Sequence, residues 1–162
     1  MSSPIDNGSC SHLIADKIIT NFKGKPSILH SGTEAFYSPK SDSIQIPTKE
    51  TFLNSELYYS TLFHELGHST GHEKRLNRDT LTAKASFGDS VYSKEELVAE
   101  FCASFLCAHS KIDSSTIENS ASYIDGWSRF LRSNSRVIIE ASSKGRQASE
   151  FILGKTIARD YK

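Results

Sequence analysis

The chain has 162 residues, room for one domain with a buried core. Its 19 basic and 19 acidic residues cancel, and 37% hydrophobic against 23% charged residues is a globular balance rather than a disordered one. That neutrality argues against a nucleic-acid partner, which would call for a basic surplus. Three cysteines (Cys10, Cys102 and Cys107) do not make a disulfide framework.

Residues 1–10 are polar and read as a loose segment, with 11–162 as a single domain. They lack the basic start and apolar stretch of a secretory signal, and no run is apolar enough to span a bilayer. A soluble, cytoplasmic chain without membrane contact is expected, and a monomer. Residues 11–22 show helical spacing through Leu13, Ile14, Ile18 and Ile19, with Ser11 as a cap and Gly24 and Pro26 beyond the end. Short strands follow at Ser27–His30, Ala35–Tyr37 and Ser43–Ile46, the last two joined by a turn-forming stretch and the third stopped by Pro47. A helix starting at Asn54 or Ser55 carries Leu57, Tyr58, Leu62, Phe63 and Leu66 and ends near Gly71. A charged loop over 73–92 with at most one helical turn leads to a helix from about Ser93 to Ala108. Further helices are expected near 115–132 and 135–153. Strands first and helices later predict an α+β domain.

His64-Glu65-Leu66-Gly67-His68 is an H-E-x-x-H pattern inside one of these helices. Residues four apart share a helix face, so both imidazoles can meet one ion. Glu65 can then reach a water in the open coordination position, whose pKa a metal lowers to about 7. A third protein ligand is needed. The metzincin extension fails, because Lys74 stands where its last histidine belongs and Met1 is the only methionine. The gluzincin arrangement, a glutamate on a later helix with an acid four residues on, is matched by Glu96 and Glu100. Glu96 would bind the metal, and Glu100 would hydrogen-bond a ligand histidine's other nitrogen. Ala99 is small enough to let the two helices approach.

Glu96 has a rival role, because Ser93-Lys94-Glu95-Glu96 is also a capping box. With H-E-x-x-H upstream the ligand role is the reading adopted, Glu95 and Glu100 being the alternatives. His72 follows Gly71 and reads as a loop histidine; His12, His30 and His109 have no metal spacing. Tyr92 could donate its hydroxyl to the oxyanion of a tetrahedral intermediate, or simply pack. Arg75 and Arg78 could bind a substrate carboxylate, or be solvated.

The segments together resemble one family. Ala35–Pro39 with Asp42–Pro47, Tyr58–His72 with Arg75-Leu76-Asn77-Arg78, Phe87-Gly88, Tyr92–Glu100 and Tyr123–Trp127 are similar, in this order, to the zincin-like metallopeptidase domain of ArdC-type antirestriction proteins and of phage and plasmid polyvalent proteins. The resemblance spans about residues 11–155. It implies a zincin-like fold: a small, mostly antiparallel sheet, an active-site helix, a third-ligand helix and further C-terminal helices. An edge strand would border the cleft, for which 43–47 is the nominee. It implies one Zn2+ ion, with Mn2+ or Co2+ also acceptable to the donors, and a protein or peptide substrate. Peptide hydrolysis with Glu65 as general base, in conflict between mobile elements and hosts, is one expected function. A non-catalytic, metal-stabilised inhibitory module is the other. The family's antirestriction members carry a separate N-terminal domain that binds single-stranded DNA, and no such domain is expected within these 162 residues.

Overall fold

A computed structural model describes residues 7–82, 90–112, 132 and 135–155, with the side chains of 7–11, 82 and 90–93 left aside. Helix α1 (Asn7–Asn21) opens the chain. It buries Ala15 and Ile18, and Phe22 just beyond its end continues this three-to-four-residue stripe facing the core. The helix starts four residues before Ser11, so Ser11 is interior rather than a cap and the end of the segment expected to be loose is helical. Gly24, at φ 72°, then turns the chain in a conformation that disfavours any side chain.

Strands β1 (Ser27–His30), β2 (Phe36–Ser38) and β3 (Ser43–Ile46) form one sheet in the order β1-β3-β2. The hairpin β2–β3 is antiparallel, with Tyr37 opposite Ile44. β1 adds to the other side of β3 in parallel, with Ile28 opposite Ile44, so the sheet is evenly mixed. β3 alternates as its sequence suggests: Ile44 and Ile46 are fully buried, while Ser43 and Gln45 face the other way. Its central position corrects the nomination of 43–47 as the edge, because main-chain groups on both sides of β3 are already paired. The edges are β1 and β2.

After a turn of 3-10 helix (Lys49–Thr51), α2 runs Ser55–Ser69. Asn54 caps it, its Oδ1 accepting from the Leu57 amide at 2.8 Å. Tyr58, Tyr59, Leu62, Phe63 and Leu66 bury its core face. The chain then folds back on the helix end rather than trailing off. The amides of Gly71, Leu76 and Arg78 donate to His68 O, Thr70 O and Gly71 O at 2.9, 2.8 and 2.9 Å. The short α3 (Asp79–Thr82) follows.

Helix α4 spans Ser90–Ser110 and α5 spans Ser135–Ile152. α4 begins three residues before Ser93, so Ser93 is not its cap and the capping-box reading of Glu96 falls. The helix expected near 115–132 lies outside the described residues, residue 132 apart. α4 packs between α2 and α5, and glycine sets both approaches. A Cβ on Gly67 of α2 would meet Ala99 Cα at 3.1 Å and Cys102 Cβ at 3.2 Å. A Cβ on Gly145 of α5 would meet Phe101 Cβ at 2.5 Å. Among the described residues no helix is long and apolar enough to cross a membrane.

Candidate metal centre

The close approach of Gly67 to Ala99 brings the H-E-x-x-H face of α2 onto the second turn of α4. His64 and His68, one turn apart, direct their Nε2 atoms to a common point, 3.1 Å from each other. Glu96 spans them, Oε2 lying 3.3 Å from His64 Nε2 and Oε1 3.1 Å from His68 Nε2. One ligand atom from each residue lies within 4.8 Å of the others, and among the described residues no other group of His, Cys, Asp and Glu converges this way.

The outward nitrogens are engaged as well. His64 Nδ1 faces Glu100 Oε1 at 3.2 Å and His68 Nδ1 faces Glu95 Oε1 at 3.4 Å. A carboxylate behind each imidazole is placed to accept a proton from Nδ1, which would leave Nε2 for a cation, the arrangement that a metal-ligating histidine needs. Two imidazoles and one carboxylate, oriented from behind, therefore fit a single divalent cation of the zinc, manganese or cobalt type.

The three glutamates on this stretch take different positions. Glu96 and Glu100 share a face at four-residue spacing, as expected. Glu95, about 100° round the helix, reaches the flank of His68 instead. Its oxygens are taken by Arg78, which donates from Nη2 to Oε1 at 2.6 Å and from Nε to Oε2 at 3.1 Å, and by Thr80 Oγ1 at 2.6 Å. The sequence readings of Arg78 and Arg75 both fail. Arg78 is buried against Glu95, and Arg75 is buried in a two-pronged pair with Asp42, Nη1–Oδ1 and Nη2–Oδ2 both 2.9 Å. Arg75 also donates to Gly24 O and Ser69 O at 2.9 and 3.0 Å, tying the turn after α1 and, through Asp42, the hairpin turn to the end of α2. Neither role was legible, because each partner is distant in sequence.

Electrostatics follow from this packing. Burial raises the Glu65 pKa, only partly offset by the neighbouring His64 and His68, and the Tyr37 backbone of β2 hydrogen-bonds its carboxylate. A carboxyl raised in this way is a better base near neutrality. Burial would lift Glu96 too, but its hydrogen bonds with His64 and His68 outweigh that and hold it well below the usual range. For Glu95, burial is overcome by His68 and Arg78, which bring it down to about 2. Burial would lower His64, yet Glu100 and Glu96 raise it to about 10. Tyr92 lies in the first turn of α4, and its side chain is outside the described residues. His72 is a loop residue whose Nδ1 accepts from the Lys74 amide at 3.2 Å.

Comparison with known proteins identifies the family. The model of a zincin-like metallopeptidase family matches residues 14–144. An uncharacterized protein, y4eC, of Sinorhizobium fredii (strain NBRC 101917 / NGR234) is 34% identical over 125 residues, 77% of this chain and 40% of that protein. A DNA primase TraC of Escherichia coli is 37% identical over 119 residues, 74% of this chain but 11% of that one. The chain thus spans less than half the length of these curated relatives. Among solved structures, the Mn(II)-bound antirestriction protein ArdC from plasmid R388 superposes with a TM-score of 0.70 at 29% identity, over 95% of this chain and 54% of that one. Its metal-free form gives 0.62, over 93% and 50%. The chain belongs to the zincin-like metallopeptidase family.

Proposed function

We propose that the domain is a metal-dependent peptidase, with His64, His68 and Glu96 as ligands of one divalent cation and Glu65 as general base. The observation that supports it most is the convergence of three ligand atoms within 4.8 Å beside a buried glutamate. A cation held there would supply Lewis-acid polarisation of the scissile carbonyl and acidify a water. Glu65 takes the water's proton and delivers it to the leaving amine. Tyr92 is the candidate donor to the oxyanion. An extended peptide would pair with β2, an edge strand among the described residues and the one beside Glu65. Zinc is the ion proposed, and the Mn(II)-bound state of the ArdC neighbour supports manganese as the alternative. The antirestriction role and plasmid origin of that neighbour support a setting in conflict between mobile elements and hosts.

The test is Glu65→Gln, which keeps the ligands and removes the base. Retained metal with peptide hydrolysis down by at least ~100-fold supports the assignment. Retained metal with full hydrolysis refutes it. Antirestriction activity surviving in a variant that no longer hydrolyses peptides would favour a binding or inhibitory module.

A further inference from the structure

The two ligand histidines are held from behind in unequal ways. Glu100, behind His64, is half exposed, and the described contacts give its carboxylate His64 as partner. Glu95, behind His68, is 4% exposed and gripped by three further hydrogen bonds. We infer that Arg78 and Thr80, acting through Glu95, are positioning residues for His68, so that the metal centre is braced through one histidine and loosely supported at the other. This rests on His68 being a metal ligand, as proposed above.

The contacts support this from two directions. Arg78 and Thr80 engage both oxygens of Glu95, which holds the carboxylate beside His68 Nδ1 and away from the point where the two Nε2 atoms meet. Arg78 also donates from Nη2 to Gly67 O at 2.9 Å and from Nη1 to Thr70 Oγ1 at 2.6 Å. One guanidinium thus fixes the imidazole of His68 through Glu95 and its backbone through the residue before it. A buried, fully satisfied network is stiff and pre-orients what it holds, whereas a half-exposed carboxylate is screened by water. Lysine could not replace Arg78, since it lacks the planar fork that spans Glu95, Gly67 and Thr70.

The test measures Zn2+ and Mn2+ dissociation constants by chelator competition in the parent, Arg78→Gln, Arg78→Lys, Thr80→Val, Glu95→Gln and Glu100→Gln. Arg75→Gln controls for loss of a buried arginine in the same loop. Proton NMR of the His68 Nδ1–H accompanies it, in metal-free and metal-loaded protein. Glu95→Gln and Arg78→Gln should each weaken binding by roughly 10–100-fold. Arg78→Lys should rescue little, Thr80→Val should weaken binding by a smaller factor, and Glu100→Gln should fall below Glu95→Gln. Arg75→Gln should lower thermal stability with the dissociation constants unchanged. The slowly exchanging His68 Nδ1–H should be lost in Glu95→Gln and shifted in Thr80→Val. If Glu100→Gln weakens binding as much as Glu95→Gln, or Arg75→Gln as much as Arg78→Gln, the brace is refuted. Should the parent bind neither ion, the peptidase reading falls, and the Nδ1–H signal in metal-free protein decides the brace alone.

Discussion

Replacing Gly145 by alanine tests the packing that presents Glu96. Carbon–carbon contacts settle at roughly 3.5–4.0 Å, whereas the added Cβ would lie 2.5 Å from Phe101 Cβ, so about 1 Å of separation is missing. It would also lie 3.0 Å from Val98 O and 3.1 Å from Cys102 N. Both are backbone atoms of α4, and Phe101 Cβ is fixed to that backbone, so no rotamer change relieves the overlap. α5 must therefore retreat from α4, loosening the cluster of Leu97, Val98 and Ala141. Alanine returns at most ~1 kcal/mol of helix propensity. Overpacking costs typically ~1–3 kcal/mol and more where backbone must move, so a net loss near ~2 kcal/mol is expected. At ~2–4 °C per kcal/mol for a domain of this size, Tm should fall by ~4–8 °C in circular dichroism at 222 nm. An unchanged or higher Tm would show that the two helices are not in close contact at this point and would undercut the account of how α4 is placed.

The pair of Arg75 and Asp42 gives a pH-dependent test. The hydrogen bonds from Arg75, acting against burial, lower the Asp42 pKa from its ordinary 3.8. A depressed carboxyl stabilises the fold above that ordinary value and loses its contribution as pH falls through the folded one. Urea unfolding of the parent and Asp42→Asn should differ by ~1–3 kcal/mol at neutral pH, the gap closing only below about pH 3.8; a gap that persists in acid would contradict this. Burial pushes the thiols of Cys102 and Cys107 up to about 12 and about 11. Iodoacetamide labelling at pH 8 with peptide mapping should leave both unmodified until denaturant is added, because the thiolate is the reactive form. Rapid native labelling of either would show that α4 opens.

Much of the site was legible because its chemistry is local. H-E-x-x-H at helical spacing, the Asn54 start and the four-residue step from Glu96 to Glu100 each need only one helix. The alternation in β3 revealed its buried face but not its neighbours, since β1 joins it across a connection of twelve residues, 31–42, that includes β2. The start of α4 was misplaced because Ser93 carries the side chains of a cap while the helix continues back to Ser90. Glu95 took a role not foreseen: which glutamate meets which imidazole depends on how α2 crosses α4, and Gly67 against Ala99 sets that crossing. Gly67, within the motif itself, was the signal available. The work of Arg75 and Arg78 was hidden, because a charged loop and a buried clamp have the same composition.

Metal content by elemental analysis, in the parent beside Glu96→Ala and Glu100→Ala, tests the central claim most directly. About one divalent ion per chain in the parent, lost in Glu96→Ala and kept in Glu100→Ala, is the predicted result, since Glu96 alone of the two converges with both Nε2 atoms. No bound metal after reconstitution with Zn2+ or Mn2+, or full occupancy in Glu96→Ala, would contradict it.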